Sequence, residues 1–461
     1  MMLTRRQFLS RGCSLGVAGT SAAAALLQLG MARQAVAQAV PGYRALVCIL
    51  LAGGNDSYNM LVPNDADQYG EYRRLRSDLA LDAANLLPLA GATANGRHYA
   101  VHPGMPELQG LYAAGEAAFI ANVGTLVEPM DAQALQAGSA KLPLGLFSHA
   151  DQINQWQTAV SDARLAHGWG GRIADLMQGA TPLNGVSMSI SLSGSNLFQS
   201  GHSSSEYSIE AGGDGAPGIN AYDDGSEFGA LRKQMIDSLL AVPQPQILRR
   251  EYSRRLRAAI DTREVFLQAL ASSPLLTTQF SPGPFSQSLR QIARVIGARD
   301  ALGATRQTFF VLVGGWDHHD NVLDNQARML PAVSAGLREF RDALAELGVF
   351  DSVTTFTTSD FGRTLTSNGK GSDHGWGGHH IVMGGAVRGG QIYGEYPLLA
   401  AGNPLDVGRG IYAPTTAVDE YFAELALWFG VAPGDLDLVL PNLRRFYLPE
   451  SGQPPLGFLL S

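Results

Sequence analysis

Histidines and acidic residues are concentrated between residues 308 and 385, where five of the ten histidines of the chain lie. The strand-like run TFFVLVGG is followed by WDHHD, which contains Asp317 and His319, and the run SVTTFTTS is followed by Asp360. Asp373 and His374 come shortly before the apolar run IVMGG. An imidazole or carboxylate at a strand end offers a lone pair in a fixed direction, as a hard or borderline divalent cation requires. This stretch therefore predicts a metal site.

Several residues near this stretch have two interpretations. His379 and His380 are adjacent, so on a strand they point to opposite faces. At most one of them can therefore serve the predicted metal site, and His379 is the candidate. Asp56, in the sequence GGND, is either a ligand or an acceptor for backbone N–H groups in a turn. Asp373 is either a ligand or a carboxylate that orients the neighbouring imidazole.

The elements that must position these residues follow from short apolar runs and longer helical patterns. Apolar runs that predict buried strands cover residues 45–51, 117–123, 186–192, 308–313, 353–358 and 381–383. Helical patterns between them cover residues 234–240, 247–271, 285–301, 331–347 and 416–429. Strands that are apolar on both faces and alternate with helices are typical of a parallel sheet covered on two sides. We therefore expect a three-layer α/β/α fold with a mostly parallel sheet.

This fold would bring the candidate residues together. In open α/β sheets, ligands bind beyond the carboxyl ends of the strands. Asp56 follows the first strand, Asp317 and His319 follow a later one, and Asp360 follows the next. We expect one domain over residues 38–461, with the Gly-, Ser- and Asp-rich region that begins near residue 193 starting an insertion that extends to about residue 283.

The N-terminus predicts export. The sequence TRRQFL at residues 4–9 is a twin-arginine signal, and the uncharged run of residues 13–29 after it is short and mildly apolar. Cleavage is expected after Ala37, which gives a signal peptide of residues 1–37, with cleavage after Ala39 as the competing site. We therefore expect a periplasmic or otherwise extracytoplasmic protein that crosses the membrane folded, with the twin-arginine translocase as its partner during export. An uncleaved N-terminal anchor is the alternative.

Charge and cysteine content limit the partners. The net charge of the chain is −8, and removal of residues 1–37 would take away four arginines and no acidic residue. An acidic chain of this kind is expected to bind neither nucleic acid nor anionic membranes. Of the two cysteines, Cys13 would leave with the signal, and Cys48 lies in the apolar run ALVCILL. We expect Cys48 to be a small core residue.

Motifs along nearly the whole mature chain carry a family resemblance. Besides the twin-arginine start, they are LLAGGNDSYNMLVP, FSHADQINQW, GGWDHHDN, TSDFGRT, DHGWGGHHIVMGG and PTTAVDEYFAELALWFGV. Together they resemble the DUF1501 family, which is named for its unknown function. That family is itself similar to the alkaline phosphatase and sulfatase superfamily, so the resemblance implies an alkaline-phosphatase-like arrangement of the α/β/α fold.

The superfamily resemblance implies a site with two divalent metal ions and a hydroxyl nucleophile between them. Carried over motif by motif, it implies metal ligation by the following residues: Asp56, Asp317, His319, Asp360, Asp373, His374 and His379. Zn, Mn, Mg and Ca are not distinguished by such a set of nitrogen and oxygen ligands. Two cations would clamp a phosphoryl or sulfuryl group, and Arg363, three residues after Asp360, would grip its oxygens.

The nucleophile stays open at this point. Ser57 follows Asp56, and Ser148 lies in FSHAD, so both are candidates, and either needs a metal ion or a base such as His149 to activate it. The motifs also depart from the superfamily, because Asp360 is followed by Phe361 where a histidine is usual. His374 or His379 would have to replace that ligand.

Two functions therefore remain under consideration. The first is a metal-dependent hydrolase or transferase of phosphate or sulfate esters, whose partner is an anionic small-molecule or polymer substrate. The alternative is a catalytically degenerate member that keeps the scaffold as a binding or assembly partner for another exported protein. A third possibility is a single structural ion, which would give metal-dependent stability without turnover.

Overall fold

The computed structural model describes residues 42–460, except for residues 92, 94–95, 178–184, 214, 223 and 401. The predicted signal at residues 1–37 therefore lies outside the described residues. The strands are β1 Arg44–Leu51, β2 Leu61–Pro63, β3 Leu87–Pro88, β4 Tyr99–Val101, β5 Ala117–Gly124, β6 Ser189–Ser191, β7 Tyr207–Ser208, β8 Arg306–Val313, β9 Val353–Ser359, β10 Gly378–Met383, β11 Ile392–Gly394 and β12 Thr416–Ala417.

The helices are α1 Ala66–Arg76, α2 Pro106–Ala113, α3 Ala132–Gln136, α4 His149–Thr158, α5 Trp169–Met177, α6 Glu227–Ala241, α7 Ile247–Ala271, α8 Pro284–Gly297, α9 Arg299–Leu302, α10 Val322–Glu346, α11 Val418–Phe429 and α12 Leu436–Val439. Among the described residues, no helix is both long and apolar enough to cross a membrane.

Nine of the described strands form one sheet. Its order is β11-β5-β10-β9-β1-β8-β6-β7, with β12 also paired to β5. β1 lies at the centre and pairs in parallel with β8 and β9, and β10 is antiparallel to both of its neighbours. The remaining pairs, β11 and β12 with β5 and β6 with β7 and β8, are parallel. The predicted mostly parallel sheet is confirmed. A small antiparallel sheet, β2-β4-β3, lies apart from it.

Residues of β1 alternate between two hydrophobic cores, because successive side chains on a strand point to opposite faces. Val47 and Ile49 lie in one core with side chains of α2, α8 and α10, whereas Leu46 and Leu50 lie in the other with side chains of α5 and α11. Cys48 belongs to this second core and is 4% exposed, as expected for a small core residue. Helices thus cover both faces of the sheet, and the predicted three-layer α/β/α class is confirmed.

Candidate metal centre

The candidate centre lies where three parallel strands end side by side. Gly53 follows β1, Asp317 follows β8 and Asp360 follows β9. The backbone of Gly53 has a φ of +120°, and a Cβ added there would lie 2.5 Å from the backbone nitrogen of Asp317. Its N–H also donates to Oδ1 of Asp360 at 2.9 Å. Glycine is required here because it alone permits both the positive φ and the close approach that bring the strand ends together.

Asp317 is the acidic residue at the middle of the cluster. Its side chain is 47% exposed, and its Oδ1 accepts a hydrogen bond of 2.7 Å from Nη2 of Arg363. Partial burial raises the pKa of the Asp317 carboxyl, but the charge and hydrogen bond of Arg363, together with His319 and His149, outweigh it and leave the pKa below its usual value. Asp317 is therefore a carboxylate at neutral pH.

Two histidines present their Nε2 atoms to this carboxylate because their Nδ1 atoms are held by acceptors. Nδ1 of His374 lies 2.8 Å from the carbonyl oxygen of Phe147, which can only accept, so we assign the proton to Nδ1. Nδ1 of His149, the first residue of α4, lies 2.6 Å from Oδ2 of Asp360 and donates to it. Burial lowers the pKa of His374. A neutral imidazole with its proton on Nδ1 has a lone pair on Nε2.

The third histidine, His319, is held in the same way. Its Nδ1 lies 3.0 Å from Oδ1 of Asp373, which also accepts from Asn368 at 2.9 Å, while Oδ2 of Asp373 accepts from Arg409. Burial raises the pKa of Asp373, but the hydrogen bonds from Asn368, Arg409 and His319 lower it more, so this carboxyl is also ionised. Asp373 thus holds the Nδ1 proton of His319 and leaves Nε2 free to act as a ligand.

The four side chains converge on one small volume. Ligand atoms of His149, Asp317 and His374 all lie within 4.8 Å of one another. Nε2 of His319 lies 3.1 Å from Nε2 of His374 and 3.1 Å from Oδ1 of Asp317, and Nε2 of His374 lies 3.6 Å from the same oxygen. Nε2 of His149 is 3.6 Å from Oδ2 of Asp317.

These separations match the edges of a metal coordination polyhedron. A tetrahedral cation with bonds of about 2.0–2.1 Å to nitrogen and oxygen holds its ligand atoms about 3.3–3.4 Å apart. The triangle formed by Asp317, His319 and His374 has edges of 3.1, 3.1 and 3.6 Å, which span that value. The carboxylate of Asp317 and the imidazoles of His319 and His374 therefore have the spacing of three ligands of one divalent ion.

The ring of Phe361 packs against the imidazoles of His149 and His374. Its ring centroid lies 4.8 Å from that of His149 and 4.5 Å from that of His374, and the side chain is 2% exposed. A Cβ on Gly54 would lie 2.6 Å from the Phe361 ring, so a glycine is also needed beneath it. The residue that stands where the superfamily usually has a histidine thus packs against two of the candidate ligands.

Asp360 and Asp373 lie behind histidines, whereas the sequence predicts both as metal ligands. Asp360 is 1% exposed and uses both oxygens, one for the N–H of Gly53 and one for His149. Asp373 is engaged by His319, Asn368 and Arg409. The structure thus supports the alternative interpretation of Asp373 as an orienting carboxylate, although its imidazole is that of His319 rather than of His374. Carboxylates in this position fix the tautomer and raise the basicity of a ligating imidazole.

Asp56 is not brought into the cluster. Its side chain is fully buried, and its Oδ2 accepts from Arg76, on α1, and from the hydroxyl of Ser372 at 2.6 Å. The physical reason is charge compensation, because Arg76 is also fully buried and needs an anionic partner. The prediction that Asp56 follows β1 is correct, but its carboxylate forms an internal ion pair instead of facing His149 and Asp317.

Each candidate serine hydroxyl accepts a hydrogen bond from a backbone N–H group. Ser57 is 1% exposed, and its hydroxyl accepts from the backbone N–H of His379 at 3.0 Å. Ser148 is the N-cap of α4, and its hydroxyl accepts from the N–H of Asp151 at 3.5 Å. His149, predicted as the base for a serine, instead offers its Nε2 to the cluster. The role of either serine as a nucleophile stays a prediction.

His379 and His380 lie in the two cores, on opposite faces of β10. The ring of His379 stacks on Tyr396 at 4.3 Å, and that of His380 packs against Trp156 at 4.7 Å. Burial lowers the pKa of each to about 3, so both are neutral. His379 is therefore placed away from the cluster, because the alternation of the strand turns it into the hydrophobic core.

Arg363 lies on the buried side of the cluster rather than on its exposed side. It is fully buried, and its guanidinium reaches Asp317 through Nη2. Its Nε and Nη1 have no hydrogen-bond partner among the described residues. A grip by Arg363 on a substrate anion stays a prediction. The positive charge that the structure places at the exposed side is Arg409, which is 55% exposed.

Among the described residues, His149, Asp317 and His374 form the one group of three or more His, Cys, Asp or Glu side chains that lie close enough together to share an ion. The predicted pair of metal ions stays a prediction. Sequence reasoning missed Asn368, Arg409, Gly53 and the carbonyl of Phe147 as supports. The sequence GRG around Arg409, whose φ is +59°, is the one signal of a constrained position there.

Fold and site together define an α/β/α protein with a histidine and aspartate centre at the carboxyl edge of its sheet. The family described as "Protein of unknown function (DUF1501)" matches residues 250–432, which confirms the resemblance over that part of the chain. The match includes Asp317, His319, Asp360 and His374, whereas His149 lies outside it. A comparison with curated proteins gave no match.

Solved structures that match include a sulfatase, a periplasmic domain in complex with Zn and a lipoteichoic acid synthase. They include the PsFucS1 sulfatase from Pseudoalteromonas sp., at 9% identity over 87% of this chain and 72% of that one, with a TM-score of 0.31. The C-terminal periplasmic domain of EcEptC from Escherichia coli, in complex with Zn, matches at 10% identity over 90% and 92%, with a TM-score of 0.32. The lipoteichoic acid synthase LtaP from Listeria monocytogenes matches at 10% identity over 82% and 79%, with a TM-score of 0.29. Similarity at this level assigns neither a site nor an activity to this chain.

Proposed function

We propose that this protein is an exported, divalent-metal-dependent hydrolase of phosphate or sulfate esters. The observation that carries the proposal is the convergence of the Nε2 atoms of His149, His319 and His374 on the carboxylate of Asp317. Each Nδ1 is held by an acceptor, so each ring turns its Nε2 atom toward the others. The Nε2 atoms of His319 and His374 lie 3.1 Å apart, close to the separation that two ligands of one cation adopt.

The ligand set favours zinc among the four candidate ions. Imidazole nitrogen suits Zn²⁺, whereas Mg²⁺ and Ca²⁺ take mainly oxygen ligands. Three imidazoles and one carboxylate are available, with Asp317 and His319 about half exposed and therefore accessible to a substrate. Mn²⁺ is the second choice, because it accepts nitrogen and oxygen ligands but binds more weakly.

A divalent ion held here would polarise an ester oxygen and lower the pKa of a water molecule that it binds. The attacking group in this proposal is water rather than serine, since the hydroxyls of Ser57 and Ser148 are engaged elsewhere. The residues of the chain orient the ligands: Asp360 fixes the tautomer of His149, and Arg363 holds the carboxylate of Asp317 in one direction. Arg409 places a positive charge beside the centre for an anionic substrate.

The test combines metal content with turnover. The protein is purified from the exported fraction without chelator and analysed by elemental mass spectrometry, alongside His319→Ala, His374→Ala and the control His98→Ala, an exposed histidine outside the cluster. We expect about one ion per chain in the wild type and the control, and loss of the ion in both cluster variants. Release of nitrophenol from its phosphate or sulfate ester should follow the metal content. A folded, metal-free wild type, or metal retained in both variants, would refute the proposal.

A second candidate is the degenerate binding partner, and one observation favours it. Asp56, which the superfamily resemblance assigns to the centre, is taken up by Arg76. Under this proposal the scaffold serves as a binding or assembly partner for another exported protein, and an ion at the centre stabilises the fold without catalysis. Metal would then raise the melting temperature while no phosphate or sulfate ester is hydrolysed, and the His374→Ala variant would lose only the stabilisation.

A further inference from the structure

Helices α6 and α7 form an antiparallel hairpin that projects from the body of the protein. Two ion pairs join the helices, Lys233 with Glu264 and Asp237 with Arg257. The later residue of α6 pairs with the earlier residue of α7, so the two helices are antiparallel. The turn of residues 242–246 is therefore the tip of the hairpin. None of residues 230–259 is buried, whereas the later part of α7 packs into the core through Phe266. A hairpin this exposed gains little stability from packing on the body.

The projecting hairpin nevertheless carries a row of large apolar side chains. On α6 they are spaced by three and four residues, which places them on one face of the helix: Phe228, Leu231, Met235 and Leu239. At the tip and on the first turns of α7 the apolar side chains are still more exposed, with Ile247 at 72%, Leu248 at 81% and Tyr252 at 68%. An exposed apolar surface that is contiguous in this way marks an interaction site.

The same tip is strongly basic, although the chain as a whole is acidic. Residues 242–257 contain five arginines and one glutamate, in a chain with a net charge of −8. Arg254 and Arg255 share the one acidic residue, Glu251. Arg249 and Arg250 form no ion pair among the described residues. The total charge of the chain predicts poor binding to anionic membranes, but the distribution of charge gives this exposed apolar surface the opposite sign.

We propose that this tip, residues 239–257, docks on an anionic phospholipid surface. An amphipathic helix end with exposed aliphatic and aromatic side chains among arginines inserts its apolar groups shallowly, while its guanidinium groups contact lipid phosphates. Ile247, Leu248 and Tyr252 supply the apolar part, and Arg249 and Arg250 supply the charge. Charge complementarity favours this occupant over a second copy of the chain, because two identical tips brought together would repel each other.

The test is vesicle sedimentation with the protein from the exported fraction. Wild type is mixed with neutral phosphatidylcholine vesicles and with vesicles that also contain phosphatidylglycerol. The variants are Ile247→Ser with Leu248→Ser, and Arg249→Gln with Arg250→Gln. A first control, Leu275→Ser, changes a 94% exposed leucine outside the tip. A second control changes two exposed arginines elsewhere, Arg73→Gln with Arg388→Gln. All proteins share the same N-terminus, so differences between them report on the tip.

We expect wild type and both controls to bind anionic vesicles and not neutral ones, and to be released at high salt. Loss of the two tip arginines should weaken binding about 30-fold, and loss of the two apolar residues should weaken it more than about tenfold. Circular dichroism checks that the variants remain folded, which is expected because the altered side chains are exposed. Equal binding to both vesicle types, or no binding, overturns the proposal. So does self-association in the ultracentrifuge that the Ile247→Ser, Leu248→Ser variant abolishes, since the face would then be a dimer interface.

Discussion

Asp419 gives the fold a specific dependence on pH. It is the second residue of α11, its side chain is fully buried, and neither of its carboxyl oxygens has a hydrogen-bond partner on another described residue. A carboxylate near a helix N-terminus is normally stabilised by the helix dipole. Here burial dominates and raises the pKa of Asp419 to about 8; the backbone N–H of Asp419 itself and the charge of Arg445 oppose this rise, and neighbouring Glu420 adds to it.

The sign and size of the effect follow from linkage. In the unfolded chain the pKa of an aspartate is about 4, so between about pH 4 and pH 8 the folded protein keeps a proton that the unfolded chain releases. The free energy of unfolding therefore falls as pH rises, by about 1.4 kcal/mol per pH unit. Between pH 5 and pH 8 this amounts to about 4 kcal/mol from Asp419 alone. The stabilisation is complete below the unfolded pKa and is lost as pH passes through the folded pKa.

Asp419→Asn removes this titration while it keeps the shape of the side chain. Urea unfolding of wild type and variant at pH values from 5 to 8 gives two stability curves, and their difference cancels all other titrating groups. As pH rises from 5 to 8, the free energy of unfolding of the variant should increase by about 4 kcal/mol relative to that of wild type. Asp300→Asn, which changes a 91% exposed aspartate, should leave the slope unchanged. Parallel curves for wild type and Asp419→Asn would refute the reasoning, because Asp419 would then be ionised in the fold.

Three further predictions concern the centre and its supports. Asp360→Asn removes the carboxylate that holds His149 and should weaken Zn²⁺ binding by about 10- to 100-fold in calorimetry; unchanged affinity would exclude a role for this pair. Gly53→Ala should cost more unfolding free energy than Gly42→Ala, because both have positive φ but a Cβ meets other atoms only at Gly53; equal costs in urea unfolding would show that the contact relaxes. Arg76→Met leaves a buried carboxylate unpaired and should lower the free energy of unfolding by about 3–5 kcal/mol; a loss below about 1 kcal/mol would mean that the pair contributes little.

The strands were predictable because they are buried on both faces. Continuous apolar runs predicted six of the main-sheet strands to within three residues, and the helix predicted at residues 247–271 has those bounds in the structure. The start of α10 was predicted wrongly, at residue 331, because proline usually marks the first turn of a helix. In the structure α10 begins at Val322 and contains Pro331. The short helix α4 was missed because its polar side chains hide the periodicity.

The site was predictable only in part, for a related reason. Asp317, His319 and His374 were identified because each is a chemically distinctive residue near the end of a strand, and the parallel sheet brings those ends together. His149 comes to the cluster from a helix N-terminus far along the chain, which no spacing rule indicates. The pairing of Asp56 with Arg76 was not predictable either, since nothing in the spacing of those residues distinguishes an ion pair from a metal ligand.

The acidic residues of this region divide into those that face the centre and those that support it. Asp317 faces the Nε2 atoms directly, whereas Asp360 and Asp373 lie on the Nδ1 side of His149 and His319. If the carboxylates were all ligands, the tautomers of His149 and His319 would be unconstrained and these two imidazoles free to turn. Because two carboxylates are used for orientation, the Nε2 lone pairs are aimed before any ion arrives. This division of roles, rather than the number of acidic residues, makes the cluster a candidate metal centre.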